Sequence, residues 1–160
     1  MFDENFFQNI WQKKHEKFSI DKLHITWDMV VENLNLCVCE NKDIKILENF
    51  GFVLHDTLNR DLVDVVSVGI MMEETFKEPI SAHYYVSMSE QSKTFGLHKD
   101  DSCVFIYQAI GSTRVSVLDP DEITYDLKVG DVLYIPRGMY HNTQPLTPRV
   151  IVSFGIDYEN

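Results

Sequence analysis

The chain has 160 residues, of which 44% are apolar, and this is enough for one domain with a sizeable core. We therefore expect a single domain over residues 1–160. The 25 acidic and 14 basic residues give a formal charge of −11, which argues against nucleic acid or an anionic lipid surface as a partner. No apolar run approaches the ~18 residues that span a bilayer. The N-terminus is acidic, unlike a signal peptide, so we expect a cytoplasmic protein outside the membrane.

Three cysteines occur, at positions 37, 39 and 103. A small, odd number without a signal peptide argues against a disulfide framework. Cys37 and Cys39 could form part of a metal site, but no nearby residues complete a set of four ligands. We therefore expect buried free thiols on a strand-like run.

The N-terminal half, residues 1–79, is predicted to be mostly helical. Apolar residues at helical spacing predict a first helix over residues 3–18 that Asp3 can cap; they are Phe6, Phe7, Ile10 and Trp11. His15 lies in a polar, lysine-flanked part of this segment, and we expect it to be solvated. Thr26 can cap a second short helix over residues 26–31.

The remainder of this half is less regular in sequence. A short strand is predicted over residues 34–38, whereas the apolar stretch from 44 to 54, interrupted by Gly51, fits no single element. Residues 61–76 predict a third helix that ends before Pro79, although their valine content also suits a strand.

From residue 80 onward, short β-branched and aromatic runs alternate with turn residues. The predicted strands are 82–88, 103–110, 114–118, 123–127, 132–135 and 150–156, and a loop is predicted over residues 143–148. Several short strands at this spacing are typical of a sandwich or barrel. We therefore expect a mainly β fold, with a β-barrel core over residues 80–160 and helices from residues 1–79 packed against it.

A histidine and a carboxylate stand two positions apart at His98 and Asp100. If the following strand extends back to His98, the two side chains lie on the same side of it. A second histidine, His141, follows a Pro-Arg-Gly bend, and together the three make a 2-His-1-carboxylate set of the kind that binds non-haem Fe(II). Asp101 competes with Asp100, but at i+3 it would face away from His98. We interpret three further histidines as structural or solvated: His24, His55 and His83.

Four stretches carry a resemblance to a known family: Ala82-His83-Tyr84-Tyr85-Val86-Ser87, Gly96-Leu97-His98-Lys99-Asp100, Gly130-Asp131-Val132-Leu133-Tyr134-Ile135-Pro136-Arg137-Gly138 leading to His141, and Ser153-Phe154-Gly155. They resemble the JmjC-type cupins, and most closely the ribosomal-oxygenase branch, which hydroxylates protein side chains. The resemblance implies a double-stranded β-helix (a cupin or jelly-roll fold) that holds Fe(II) through His98, Asp100 and His141. It also implies 2-oxoglutarate as cosubstrate and O₂ as oxidant.

The residue that would hold the far carboxylate of 2-oxoglutarate departs from the family pattern. The family places a lysine or arginine where this chain has Thr113. Arg114 is next to it but faces outward unless a bulge at residues 111–112 turns it inward. Arg149 is the other candidate, and it shares one face of the last strand with Ser153. Tyr85 and Thr113 could add hydroxyl hydrogen bonds to the cosubstrate.

These features leave three functions open. The first is an Fe(II)- and 2-oxoglutarate-dependent oxygenase that hydroxylates a protein side chain or a small molecule. The second is a metal-dependent cupin enzyme, a dioxygenase or isomerase, that uses no 2-oxoglutarate. The third is a non-catalytic cupin binding domain, since a fold does not fix a function. The helical half could also supply the interface of a homodimer.

Overall fold

The computed structural model describes residues 2–55 and 63–157. They form three helices, α1 (Glu4–Asn9), α2 (Trp27–Glu40) and α3 (Val63–Phe76), and ten strands, β1 (Glu16–Ser19), β2 (Ile44–Leu47), β3 (Gly51–Leu54), β4 (Ile80–Ser87), β5 (Cys103–Ile110), β6 (Ser112–Asp119), β7 (Asp121–Lys128), β8 (Asp131–Ile135), β9 (His141–Pro145) and β10 (Arg149–Ile156). No helix in these two ranges has the length and apolar character to cross a membrane.

The strands form two facing sheets. The larger sheet has the order β1-β8-β5-β10-β4-β3-β2, and the smaller has the order β7-β6-β9, with all pairs antiparallel. Apolar side chains from both sheets pack together between them, among them Val104, Ile151, Val115 and Leu127. The predicted mainly β fold with N-terminal helices, a double-stranded β-helix, is confirmed.

Strand β10 contributes side chains to two hydrophobic clusters, one on each face of the larger sheet. All eight of its residues are buried. Because side chains alternate along a strand, Val150, Val152 and Phe154 pack in the core under the helices, while Ile151 faces the smaller sheet. Burial on both faces explains the almost unbroken apolar run of this strand.

An aromatic cluster fixes the N-terminal segment onto the larger sheet. The side chain of Asp3 caps α1 by accepting a hydrogen bond of 2.8 Å from the backbone N–H of Phe6. The Phe6 ring is 1% exposed. Trp11 lies 4.7 Å from Phe76 of α3 and 5.5 Å from Tyr134 of β8, measured between ring centroids. Contacts of this kind add to the free energy of burial.

The first helix is shorter than predicted, because it stops at Asn9 rather than near residue 18. Gln12 has a left-handed φ of 59°, which no helix continues. The residues that follow form β1, whose Glu16 pairs with Tyr134 at the edge of the larger sheet. The expectation of a solvated His15 was also wrong: the residue is 8% exposed, and its Nδ1 lies 2.9 Å from the hydroxyl of Tyr125.

The prediction of a strand over residues 34–38 was wrong, because these residues lie inside α2. Thr26 accepts a hydrogen bond from Met29 N–H as the N-cap, as predicted, and Asn41 ends the helix in the left-handed conformation. Cys37 is buried on this helix and Cys39 is exposed, so the two thiols do not share a buried strand. All three cysteines are free.

Two further segments complete the comparison with the sequence. The stretch from 44 to 54 is the β2–β3 hairpin, with Asn49 and Phe50 at positive φ in its turn. The helix predicted over residues 61–76 is present from Val63 to Phe76, while residues 61–62 lie outside the described residues. All six predicted C-terminal strands are present, and the loop expected after His141 contains an additional strand, β9.

Gly111 is required by the fold in two ways. Its φ is +72°, and an added Cβ would lie 2.2 Å from the carbonyl oxygen of Pro148. We expect Gly111→Ala to lower the free energy of unfolding by at least about 3 kcal/mol, because the left-handed strain and the clash add. Gly138, with φ +78° and open space around it, is the matched control, and Gly138→Ala should cost only about 1–2 kcal/mol. Urea denaturation of both variants measures the difference, and equal losses would contradict the clash.

His15 predicts a pH dependence of stability. Burial lowers the pKa of its imidazole below the ordinary value of 6.5, although the nearby Asp119 opposes the shift. The unfolded chain therefore binds a proton at a pH where the folded chain stays neutral, so stability falls as the pH falls below about 6.5. We expect urea denaturation at a series of pH values to show that the free energy of unfolding of His15→Gln depends less steeply on pH than that of the wild type. An unchanged dependence of stability on pH in this variant would contradict the prediction.

Candidate metal centre

Two segments distant in sequence meet at an isolated antiparallel bridge between His98 and His141. The N–H of each residue donates to the carbonyl oxygen of the other, at 3.0 and 2.8 Å. His98 therefore reaches the site through this bridge and not through an extension of β5, which begins at Cys103. Asp100 is held nearby, because its carbonyl oxygen accepts a hydrogen bond of 2.9 Å from the N–H of Gly138.

Both imidazoles are oriented in the same way by their own backbone. His98 Nδ1 lies 2.8 Å from the carbonyl oxygen of Gly96, and His141 Nδ1 lies 3.1 Å from that of Met139. A carbonyl oxygen only accepts, so each Nδ1 carries the proton and each Nε2 keeps its lone pair. A hydrogen bond at one ring nitrogen is what selects the metal-binding nitrogen of a histidine.

The free Nε2 atoms face the same carboxylate. His98 Nε2 is 3.8 Å from Asp100 Oδ1, and His141 Nε2 is 3.4 Å from Asp100 Oδ2. The ligand atoms of the three residues all lie within 4.8 Å of one another. A first-row metal with bonds near 2.1 Å needs cis ligand atoms roughly 3–4 Å apart, so the three side chains could hold one ion.

The environment of His141 favours its ligating form. His141 is 3% exposed, and its burial lowers the pKa of the imidazole, partly opposed by the hydrogen bond to Met139 and by Asp100. It is therefore neutral near pH 7, as a ligand must be. The side chains of His98 and Asp100 are 30% and 35% exposed. The site is thus closed on the His141 side and open towards solvent on the other, which leaves positions for further ligands.

A pocket that is partly open to solvent extends from the three residues into the space between the sheets. Its apolar wall comes mainly from the strands of the larger sheet, with Val104, Ile106 and Ile151 among the lining residues. The β2–β3 hairpin closes the outer side with Leu47 and Phe52. This hairpin is fastened to the loop before His98, because Lys93 N–H donates to the Glu48 carbonyl and Ser92 Oγ to that of Asn49, at 3.0 and 2.8 Å.

Arg149 lies inside the pocket with a guanidinium that is held by hydroxyl groups alone. The residue is 1% exposed. It donates to Thr113 Oγ1 at 2.7 Å, to Ser87 Oγ at 3.3 Å and to Thr143 Oγ1 at 3.4 Å. Burial lowers its pKa to about 10, which still leaves it charged near pH 7. No carboxylate pairs with it among residues 2–55 and 63–157, so the pocket contains a buried cation without a counter-ion.

Arg114, the alternative base, is far from this arrangement. It forms a surface ion pair with Asp126, whose oxygens lie 2.7 and 2.8 Å from its nitrogens. The residues between Gly111 and Arg114 keep regular pairing, so the strand is not bulged and Arg114 faces outward. The register shift of this region falls instead in β10, between Val150 and Ile151.

The other predicted site residues have different positions. Tyr85 and Ser153 both line the pocket. Burial, with a smaller contribution from Asp100, raises the pKa of Tyr85 to about 12, so its hydroxyl stays protonated and can donate. Thr113 is fully buried and touches Arg149 but does not line the pocket itself.

The sequence did not indicate two further groups of the pocket. Thr143 was expected in a loop, yet it lies on β9 two positions after His141 and therefore on the same face. Phe95 stands at the mouth, edge-on to His98 at 5.9 Å between ring centroids. Alternation along residues 141–145 is the signal that could have placed Thr143; no local pattern marks Phe95.

Comparisons with known proteins agree with this architecture. The family model of the JmjC domain matches residues 115–160. A search of curated proteins found no match. Among solved structures, the ribosomal oxygenase YcfD from Escherichia coli in complex with cobalt and 2-oxoglutarate matches 98% of this chain and 51% of its own, with a TM-score of 0.74 and 20% identity. The same oxygenase with cobalt and succinic acid matches over the same shares at 21% identity, also with a TM-score of 0.74.

A second solved protein has a partly similar fold. Vicilin from Solanum lycopersicum matches 76% of this chain and 31% of its own, with a TM-score of 0.52 and 20% identity. At these identities the likeness concerns the fold, and the chain spans about half the length of the ribosomal oxygenase. The resemblance predicted from sequence is confirmed: the chain has the fold of the JmjC-type cupins, in the form found in a ribosomal oxygenase, and its last strands match the JmjC domain.

Proposed function

We propose that the chain is an Fe(II)- and 2-oxoglutarate-dependent oxygenase. The observation that carries this proposal is the buried guanidinium of Arg149, which shares one pocket with His98, Asp100 and His141. A buried cation without an anionic partner is costly, and a bidentate carboxylate is the partner that a guanidinium binds best. A metal chelator that also carries a distal carboxylate satisfies both ends of this pocket.

His98, Asp100 and His141 would hold the metal, and their neutral and anionic donors fit Fe(II). When bound, Fe(II) supplies the activation of O₂ that couples decarboxylation of 2-oxoglutarate, giving succinate and CO₂, to hydroxylation of a substrate C–H bond. The ribosomal oxygenase with the same fold is described with cobalt and 2-oxoglutarate and with cobalt and succinic acid, which supports this choice of cosubstrate.

The chain's own residues then have distinct tasks. Arg149 binds the distal carboxylate of 2-oxoglutarate, while Thr113, Thr143 and Ser87 fix the orientation of its guanidinium. Tyr85 donates a hydrogen bond to the cosubstrate, because its hydroxyl stays protonated up to about pH 12. Apolar walls exclude water from the reacting centre, which strengthens the ionic contact inside the pocket. The substrate, in this proposal, is a protein side chain or a small molecule that enters on the open side of His98.

The metal ligands can be tested apart from the cosubstrate. We expect Asp100→Asn and His141→Ala to weaken Co(II) binding by more than about 100-fold, because even loss of an outer partner of a ligand costs 10–100-fold. Asp101→Asn changes the neighbouring carboxylate and is the matched control, with unchanged affinity. Absorption titration with Co(II) measures all three. Equal affinities in the Asp100 and Asp101 variants would remove the metal centre from the proposal.

The cosubstrate site is tested by anaerobic titration of the iron-loaded protein with 2-oxoglutarate. We expect a charge-transfer band from the chelate, and succinate release that requires both iron and 2-oxoglutarate. Arg149→Gln should weaken 2-oxoglutarate binding by about 100-fold, since loss of one partner of a buried ionic contact costs several kcal/mol. Arg149→Lys keeps the charge but loses the bidentate geometry, so its affinity for 2-oxoglutarate should lie between those of the wild type and Arg149→Gln.

Arg114→Gln is the control for this experiment, because it removes an arginine that follows Thr113 in sequence but lies on the surface, paired with Asp126. Its affinity for 2-oxoglutarate should equal that of the wild type, and Co(II) binding by the Arg149 variants shows that their metal site is intact. Metal binding with no affinity for 2-oxoglutarate would instead favour a dioxygenase or isomerase that works without it.

A further inference from the structure

Three lysines stand around the mouth of the metal pocket. Lys93 lines the pocket itself. The ammonium group of Lys45 lies over the Phe95 ring, 4.5 Å from its centroid, and that of Lys99 lies over the Tyr140 ring at 5.5 Å. In the part of the chain that the structure describes, no carboxylate oxygen comes within 4.0 Å of these three ammonium groups.

Several cations elsewhere on the surface are paired with carboxylates, as in Lys14–Glu16 at 3.2 Å, Lys17–Asp131 at 3.1 Å, Lys42–Glu40 at 3.6 Å and Arg114–Asp126 at 2.7 Å. Other lysines, such as Lys22 and Lys77, also have no carboxylate oxygen within 4.0 Å among the described residues, but they neither line the pocket nor lie over the rings at its mouth. The mouth is therefore distinguished by three such lysines standing at one opening of a chain whose overall charge is −11. A lysine over an aromatic face keeps its charge without an anion, so its N–H donors remain available to a ligand.

The two aromatic rings lie beside the metal ligands. Phe95, which is 38% exposed, touches His98 edge-on and also Tyr85, at 5.9 and 5.8 Å between ring centroids. Tyr140, which is 47% exposed, immediately precedes His141. Lys45 and Phe95 come from β2 and from the segment before His98, whereas Lys99 and Tyr140 follow His98 and precede β9. The lysine–ring pairs therefore flank the metal ligands on two sides.

We propose that this mouth binds an acidic segment of a protein substrate. The carboxylates of the segment pair with Lys45, Lys93 and Lys99, and its apolar side chains pack on Phe95 and Tyr140. In this proposal the segment is extended, so that it contacts both lysine–ring pairs. This inference rests on the proposed function and adds the class and charge of its substrate.

The acidic groups near the mouth do not cancel this charge. Asp100 is a ligand of the metal in the proposed function, so its charge is used within the centre. Glu48, Glu90 and Asp101 are exposed and lie outside the pocket lining. Lys45 and Lys99 also lie outside the lining, whereas Lys93 is an exposed cation within it, so a segment that enters the pocket meets a positive charge there.

The test compares two fluorescein-labelled peptides of equal length, one built from Glu, Leu, Gly and Ser and the other with Lys in place of every Glu. We expect fluorescence anisotropy to show about tenfold tighter binding of the acidic peptide at low salt, because each exposed pair is individually weak. The preference should shrink as NaCl is added. The combined variant Lys45→Glu, Lys93→Glu, Lys99→Glu should invert it.

The control carries the same change of net charge away from the pocket: Lys22→Glu, Lys77→Glu, Lys128→Glu. It should keep the wild-type preference, with circular dichroism establishing that both triple variants are folded. Equal affinity for the two peptides, a preference that survives in the mouth variant, or inversion in the control variant would each overturn the inference. Binding is measured on the metal-free protein and again with Co(II) and 2-oxoglutarate. Failure of the proposed function then appears in the metal and cosubstrate titrations, and failure of this inference in the peptide comparison.

Discussion

The backbone bridge between His98 and His141 is the contact on which the candidate site depends. It joins a loop that precedes β5 to the first residue of β9, and thus connects the two sheets at the point where the ligand atoms converge. Pairing in both directions fixes the separation of the two Cα atoms, as in any antiparallel pair. Without this bridge, His98 and Asp100 would belong to a surface loop, and His141 to an edge strand with no partner beyond β6.

The second determinant is the way β10 is placed in the middle of the larger sheet. Strands β4 and β5 pair with it along almost its whole length, so a polar residue on its inward face is largely removed from bulk water. Arg149 is tolerated there because hydroxyl groups from β4, β6 and β9 satisfy its donors. The helical layer contributes indirectly, since Val150, Val152 and Phe154 hold the strand from its other side.

Features with a local origin could be predicted from the sequence. The six C-terminal strands follow from alternation and turn residues, and the outward direction of Arg114 follows from strand parity. Features that depend on distant partners could not. Residues 16–19 become a strand only because β8 offers a free edge more than a hundred positions later. The apolar residues of the stretch 34–38, with one valine and one cysteine, suggest a strand, but tertiary burial of Val30 and Cys37 on one helical face prevails.

The two histidines take their orientation from carbonyl groups in their own loops, Gly96 for His98 and Met139 for His141. This means that the donor atoms are preorganised before any ion arrives, and that capture of an ion needs little rearrangement of the chain. A preformed set of two imidazoles and one carboxylate accepts several divalent ions, whose intrinsic affinities follow a fixed chemical order. Which metal occupies such a centre in the cell is then decided largely by supply.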